Sequence, residues 1–449
     1  MVTPKYESPV SGWRWKSRGT VTRLLHADAT IGADCITRKA LPVTPELGQT
    51  ARPQRPLRIA CVTETYPPEV NGVAMTIARL VQSLREREHT VQVVRPRQAA
   101  DAARTSGDAH DDVLVRGIPI PNYAGLRMGL PCKGTLVRLW QRQRPDVVHI
   151  ATEGPLGRSA LLAAKALGLP VCSDFRTNFH AYSKHYGFGF LRPAIIGYLR
   201  RFHNATQCTM VPTQALHDDL QAEGFRDLVQ VARGVDVRRF DAAHRSEALR
   251  AQWGARDDDL VVTCVGRLAP EKNLVTLLDA FEAIRGQQPR ARLVLVGDGP
   301  MRKELALRCP DAIFAGQRGG ADLAAHYASA DLFLFPSVTE TFGNVTTEAM
   351  ASGLAVVAFN YAAAGRLIRH GENGALVRYE DNAEFVTTAV RTAVDLANCR
   401  VLGARARDSV MALDWDSIAA QVESVMAGVM RRVEPAAGYA FSPARHSSV

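Results

Sequence analysis

The sequence predicts an α/β protein built from two doubly wound parallel sheets that face a central cleft. Three observations predict it. From Leu57 onward, short apolar, β-branched runs alternate with longer segments of helical spacing, the rhythm of successive βαβ units. A second series of the same kind starts afresh at Leu260. Between them lies VDVRRFDAAHRSEALRAQWGARDDD, polar and charged, which reads as the join between two halves near residues 234–258.

In the first half, LRIACVTE (57–64), TVQVVRP (90–96), PDVVHIA (145–151), PVCSDF (170–175) and CTMVP (208–212) are strands buried on both faces, because apolar residues run on without alternating. TIARLVQSLRER (76–87) and GRSALLAAKALG (157–168) have helical spacing. In the second half the strands are LVVTCVGR (260–267), ARLVLVGDG (291–299), AIFAG (312–316), DLFLFPS (331–337) and LAVVAFN (354–360). LVTLLDAFEAIRG (274–286), MRKELALRC (301–309) and GADLAAHYASA (320–330) are the helices between them, and DWDSIAAQVESVMAGVMRR (414–432) is a last helix. The domains expected are 57–245 and 246–413, with a basic extension over 1–56 and a loose tail over 433–449.

At 449 residues the chain is long enough for two cores. Hydrophobic content of 46% and charged content of 22% are those of a globular protein, and no apolar run approaches the ~20 residues that span a bilayer. The first residues lack the apolar core of a secretory signal, so a cytoplasmic location is expected. Eight cysteines without any C-x-x-C pair read as reduced thiols rather than a metal site or disulfide frame. The net charge is +10, and residues 1–56 hold nine Lys/Arg against four Asp/Glu. That segment reads either as a solvated extension or as a surface for anionic lipid or nucleic acid. No helix-turn-helix, zinc-knuckle or aromatic RNA-binding pattern supports nucleic acid as a partner.

Ligands of doubly wound sheets gather at the carboxyl ends of strands, and the chemistry-bearing motifs lie just after strands. In TETYPPEVNGVAMTIARL, Asn71-Gly72 is a turn into a helix, and Gly72 is also where a phosphate can approach backbone amides. No G-x-G-x-x-G or G-x-x-x-x-G-K-[ST] accompanies it. GRLAPEKN (266–273) sets Arg267 and Lys272 on either side of a proline turn, where a planar fork and a point charge can converge on one diphosphate. In TETFGNVTTEAMASG (339–353) a helix starts near Gly343, Asn344 and Val345 and stops at Gly353. Free amides at that start suit a diphosphate, Glu340 in the loop suits sugar hydroxyls, and Glu348 in the helix suits a ribose diol. SDFRTNFHAYSKHYGFG (173–189) places His180 after a strand, as a donor to phosphate or sugar or as a structural histidine, with Tyr182, His185 and Tyr186 around it.

With R-x-x-x-x-K and E-x-x-x-x-x-x-x-E located after strands of a second doubly wound half, the chain from Leu57 to Arg432 resembles the retaining glycosyltransferases of family four. The resemblance implies the GT-B fold, two Rossmann-like domains with a C-terminal helix crossing back to the first. It implies that Arg267 and Lys272 stabilise the diphosphate of a nucleotide sugar, that Glu340 contacts the donor sugar and that Glu348 holds the ribose. It likewise implies a donor-phosphate contact at Gly72 and a sugar contact at His180. TETYPPEVNGVA with TNFHAYSKHYG is similar to the GDP-mannose-dependent α-mannosyltransferases and their sulfolipid-synthase-like relatives. Many of these have histidine where this chain has Arg176.

The expected function is therefore retaining transfer of a hexose, mannose from GDP-mannose foremost, to a glycan or lipid hydroxyl. A UDP-sugar glucosyl or sulfoquinovosyl transferase and a non-catalytic nucleotide-sugar-binding regulator are the alternatives, and hydrolysis by the two glutamates is a rival chemistry. No cofactor and no metal are expected, since no D-x-D pair follows a strand and side-chain cations would replace Mg²⁺. The segment FLRPAIIGYLRRFHNATQ (190–207), with Arg192, Arg200 and Arg201, is either an ordinary amphipathic helix or a contact for an anionic membrane.

Overall fold

The computed structural model describes residues 55–69, 71–98, 101, 112–119, 127–176 and 192–433. His180, Tyr182, His185 and Tyr186 lie outside the described residues, as do the leader up to residue 54 and the tail from residue 434.

The first sheet contains β1 (Arg58–Val62), β2 (Thr90–Pro96), β3 (Val113–Val115), β6 (Val147–Ile150), β7 (Val171–Asp174), β8 (Cys208–Val211) and β9 (Leu228–Gln230). All are parallel, in the order β3-β2-β1-β6-β7-β8-β9. β4 (Gly117–Pro119) and β5 (Arg127–Gly129) form a separate antiparallel ribbon. The second sheet contains β10 (Val261–Val265), β11 (Arg292–Val296), β12 (Ile313–Gly316), β13 (Leu332–Phe335), β14 (Ala355–Phe359) and β15 (Ala375–Val377), parallel in the order β12-β11-β10-β13-β14-β15. In each sheet the first strand has neighbours on both sides from different directions of winding, which opens a crevice at its carboxyl end. The central strands are buried on both faces; every residue of β10 and β14 is buried.

The helices of the first half are α1 (Gly72–Glu86), α2 (Lys133–Arg142), α3 (Pro155–Ala166), α4 (Arg192–His203) and α5 (Gln214–Ala222). Those that follow are α6 (Glu247–Gln252), α7 (Leu274–Gln287), α8 (Arg302–Arg308), α9 (Gly320–Ala328), α10 (Asn344–Ala351), α11 (Ala362–Leu367), α12 (Asn382–Ala393), α13 (Leu396–Val410) and α14 (Trp415–Val433). α14 packs back on the first half along its first turns: Arg87, just after α1, donates to Glu423 at 2.8 Å and pairs with Asp416 at 2.9 Å. Trp415 seats on Gly234 so closely that an added Cβ there would lie 2.7 Å from the indole.

The charged stretch between the two strand series is a packed segment rather than a loose connection. Val235, Phe240 and Trp253 are buried, and Arg250 is wholly buried. Its guanidinium donates to the Ser329 carbonyl at 2.9 Å, to Asp331 at 3.1 Å and to the carbonyls of Arg256 and Asp259 at 2.7 Å. Composition shows charge; it does not show that one arginine has four partners inside the fold.

α4 reports on the suggested membrane face. Ile196 and Leu199 are buried in one cluster with Phe175, Val211 and Phe225, and Phe202 in another with Leu169 and Val171, so its apolar side belongs to the core. Arg192 donates to Glu223 at 2.7 Å and Arg200 to the Glu223 carbonyl at 2.9 Å. No described helix is long and apolar enough to cross a membrane. Of the seven described cysteines, all unpaired, five are buried, whereas Cys132 and Cys309 are half-buried.

Candidate active site

A cleft of about 930 Å³ lies between the carboxyl ends of the two sheets. Its lining includes Gly72, Arg267, Lys272, Glu340, Gly343, Asn344, Val345 and Glu348. Every described residue that the sequence singled out as a candidate thus faces one hollow.

Gly72 opens α1. The Asn71 side chain caps that helix by accepting from the Ala74 amide at 2.8 Å. An added Cβ at Gly72 would meet nothing within 4 Å, so its missing side chain leaves room in the cleft rather than relieving a clash. Across the cleft, Gly343 caps α10 with φ +89°, a left-handed backbone that glycine adopts without a Cβ penalty. The turn brings the start of α10, with Asn344 and Val345, into the lining of the hollow, at the end of the helix where its dipole is positive.

Lys272 ends a 3₁₀ turn begun by Pro270, and Glu340 lies in the loop after β13. The Lys272 ammonium and Glu340 Oε1 form an ion pair, and the Ser337 hydroxyl donates to the same oxygen at 2.8 Å. The ammonium also stands 5.6 Å from the centre of the Phe335 ring. Tyr361 donates to the Glu340 carbonyl at 2.8 Å, which fixes the loop from the side. Arg267 is more open, with its side chain 45% exposed and 4.0 Å from Glu271. Glu348 is half-buried in the cleft wall; Tyr327 donates to its Oε2 at 2.9 Å, and burial pushes its carboxyl up to about 7.

Sequence reasoning passed over several residues that build this site. Ser337 and Tyr327 orient the two glutamates, and neither belongs to a spaced motif. Gly266 and Gly297 directly follow β10 and β11 and line the cleft; a Cβ on Gly297, whose φ is +133°, would fall 1.9 Å from the Gly266 carbonyl oxygen. The repeated Val-Gly at these two strand ends was the available signal. Arg233, after β9, also lines the cleft, as does Arg176. No group of three or more metal-ligating side chains occurs among the described residues.

Comparison with known proteins places this architecture. The pattern of Glycosyltransferase Family 4 matches residues 70–239, and that of Glycosyl transferases group 1 matches residues 259–395. A GDP-mannose-dependent alpha-mannosyltransferase of Corynebacterium glutamicum is 33% identical over 372 residues, covering 82% of this chain and 88% of that protein. A sulfoquinovosyl transferase of Arabidopsis thaliana is 29% identical, covering 82% of this chain and 73% of that protein. Among solved structures, the Anabaena protein HepE in complex with UDP and glucose shares the fold at 22% identity and a TM-score of 0.65, covering 83% of this chain and 99% of that one. With its GT-B architecture, its two matched regions and relatives similar along most of their length, the chain belongs to glycosyltransferase family four.

Proposed function

We propose that the protein transfers a hexose, mannose from GDP-mannose foremost, to a glycan or lipid hydroxyl with retention at the anomeric carbon. The observation that carries the reading is the convergence of Lys272, Arg267 and the Gly343 helix start on the same cleft as Glu340 and Glu348. As the glycosidic bond stretches, negative charge grows on the departing diphosphate, and the two cations and the α10 amides neutralise it where it develops. Glu340, already gripped by Lys272 and Ser337, presents its remaining lone pairs to sugar hydroxyls. Glu348 accepts from the ribose diol, and Gly72 leaves space for the phosphates at the start of α1. His180, whose surroundings are not described, is assigned a donor-sugar contact by family resemblance alone.

In this reading the nucleotide sugar is a substrate, no cofactor is needed, and side-chain cations rather than a divalent ion carry the phosphate charge. A UDP-sugar donor, for glucosyl or sulfoquinovosyl transfer, is the second reading. If the acceptor is a lipid, contact of α4 with an anionic bilayer would rest on its arginines, since its apolar side is buried.

The test is incubation with a panel of GDP- and UDP-sugars, with and without EDTA, following release of nucleotide diphosphate and the anomeric configuration of product. GDP-mannose turnover that survives EDTA and yields an α-linked product is expected. Release from no donor would refute the transferase reading, and an inverted product would refute retention.

A further inference from the structure

Asp174, at the end of β7, is overcommitted to positive charge. Its Oδ2 accepts from Arg176 Nε at 2.7 Å and from Arg176 Nη2, and it lies 3.0 Å from His149 Nε2. Its Oδ1 is 3.7 Å from Arg233 Nη1, whose other nitrogen donates to the Phe175 carbonyl at 3.4 Å. No other carboxylate among the described residues lies within ion-pair distance of either arginine. Burial by itself disfavours the His149 imidazolium, yet the Asp174 charge overrides it and holds the ring up to about 9. Burial, then the charge of Arg176, push the Arg233 guanidinium down to about 9.

Among the described residues, the acids beyond Asp174 do not restore balance. Both carboxyl oxygens of Glu153 are buried without a partner, and burial pushes that group up to about 7. Glu64 is held by the amides of Gly129 and Leu156, away from either arginine. Two guanidiniums, on side chains 3% and 9% exposed, therefore share one carboxylate among the described residues. Uncompensated buried charge is costly, and such an excess commonly marks a place that a ligand completes. Both arginines line the cleft, on the first-sheet side, whereas Arg267 and Lys272 follow β10 on the second.

We propose that Arg176 and Arg233 form a second anion subsite, distinct from the diphosphate pair, which takes a carboxylate, phosphate or sulfonate carried by one of the two sugars that meet in the cleft. The guanidinium fork matches such groups bidentately, and Asp174 holds the forks in place. The inference rests on the transferase reading and adds that this enzyme selects an acidic substrate. Arg176 is then a specificity residue.

The test is calorimetry on the full chain near pH 7.5. With saturating UDP or GDP, methyl β-D-glucuronide and glucose 6-phosphate are compared with methyl β-D-glucoside; separately, UDP-glucuronate is compared with UDP-glucose. At least about tenfold preference for the acidic member is expected in one arm. Preference in the first arm puts the acid on the acceptor, and in the second on the donor sugar. Arg176→Gln and Arg233→Gln are each expected to reduce the ratio to under about twofold, and Arg176→Lys to restore part of it. No preference in either arm, or a ratio that survives both glutamine variants, overturns the subsite. A purely structural role would weaken both members of a pair alike and leave the ratio unchanged, which also overturns it. UDP and GDP affinity in the same titrations reports separately on the transferase reading.

Discussion

Asn344, the first residue of α10 on the second sheet, donates its side-chain amide to the Thr76 hydroxyl of α1 on the first, at 3.0 Å. The Thr76 hydroxyl in turn donates to the Gly72 carbonyl at 2.6 Å. One hydrogen-bonded chain thus ties together the two helix starts that face each other across the cleft. Thr76→Val should cost about 1 kcal/mol in stability. It should raise the donor KM severalfold with a smaller change in kcat, because the starts no longer hold their separation. Steady-state kinetics beside a denaturant titration checks both.

Lys272→Ala removes a cation from the leaving group and leaves Glu340 with Ser337 as its described partner. A loss of about 10²-fold to 10³-fold in kcat is expected, by analogy with removal of one preorganised oxyanion donor. The melting temperature should fall by no more than a few degrees. Unchanged turnover of the preferred nucleotide sugar would remove Lys272 from its assigned part.

Gly72 has open space where a side chain would begin, and its helix start is capped by Asn71 rather than by its own conformation. Gly72→Val should therefore leave folding nearly intact while raising the Kd for nucleotide sugars at least about tenfold, since the phosphates lose their approach to the backbone. Differential scanning calorimetry and nucleotide titration separate the two effects.

Glu348 gives a pH signature. Its folded carboxyl sits at about 7 against a usual 4.5, raised by burial, so the unfolded chain gives up this proton first. Its contribution to stability is greatest below about 4.5 and declines as pH rises toward about 7. Ribose hydroxyls donate more strongly to the ionised form, so nucleotide affinity should rise about three- to tenfold between roughly pH 6 and 8. Glu348→Gln should flatten that rise. A slope that is the same in the variant would assign it to another group.

Arg250 carries the join between the strand series. Arg250→Ala would leave Asp331 buried with its remaining partners and empty the centre of a four-bond network. Destabilisation of about 3–5 kcal/mol is expected, the usual result of breaking a buried charge pair. Urea unfolding measures it, and a change below about 1 kcal/mol would show that the network adds little.

Much of the site was legible because family-like spacing places charge after strands. Arg267 and Lys272 bracket a proline, and Glu340 and Glu348 bracket a glycine helix start; each is a local pattern of about ten residues or fewer. α12 was equally legible and was passed over: Asp381 accepts from the Glu384 amide at 2.9 Å, the pattern of a helix N-terminus readable from D-N-A-E. Short edge strands such as β9 and β15, three residues each, carry too little periodicity to be seen.

By itself the sequence determined the two strand series, the helix starts at Gly72 and Gly343 and the charged residues that line the cleft between them. All of these follow from apolar periodicity and turn chemistry between near neighbours in the chain. Only the tertiary structure decided that Thr76 meets Asn344, that Tyr327 lies against Glu348, and that Asp174 carries two arginines. Those partners are 268, 21 and up to 59 positions apart, joined by sheet order and the packing of helices on it, which no local pattern encodes.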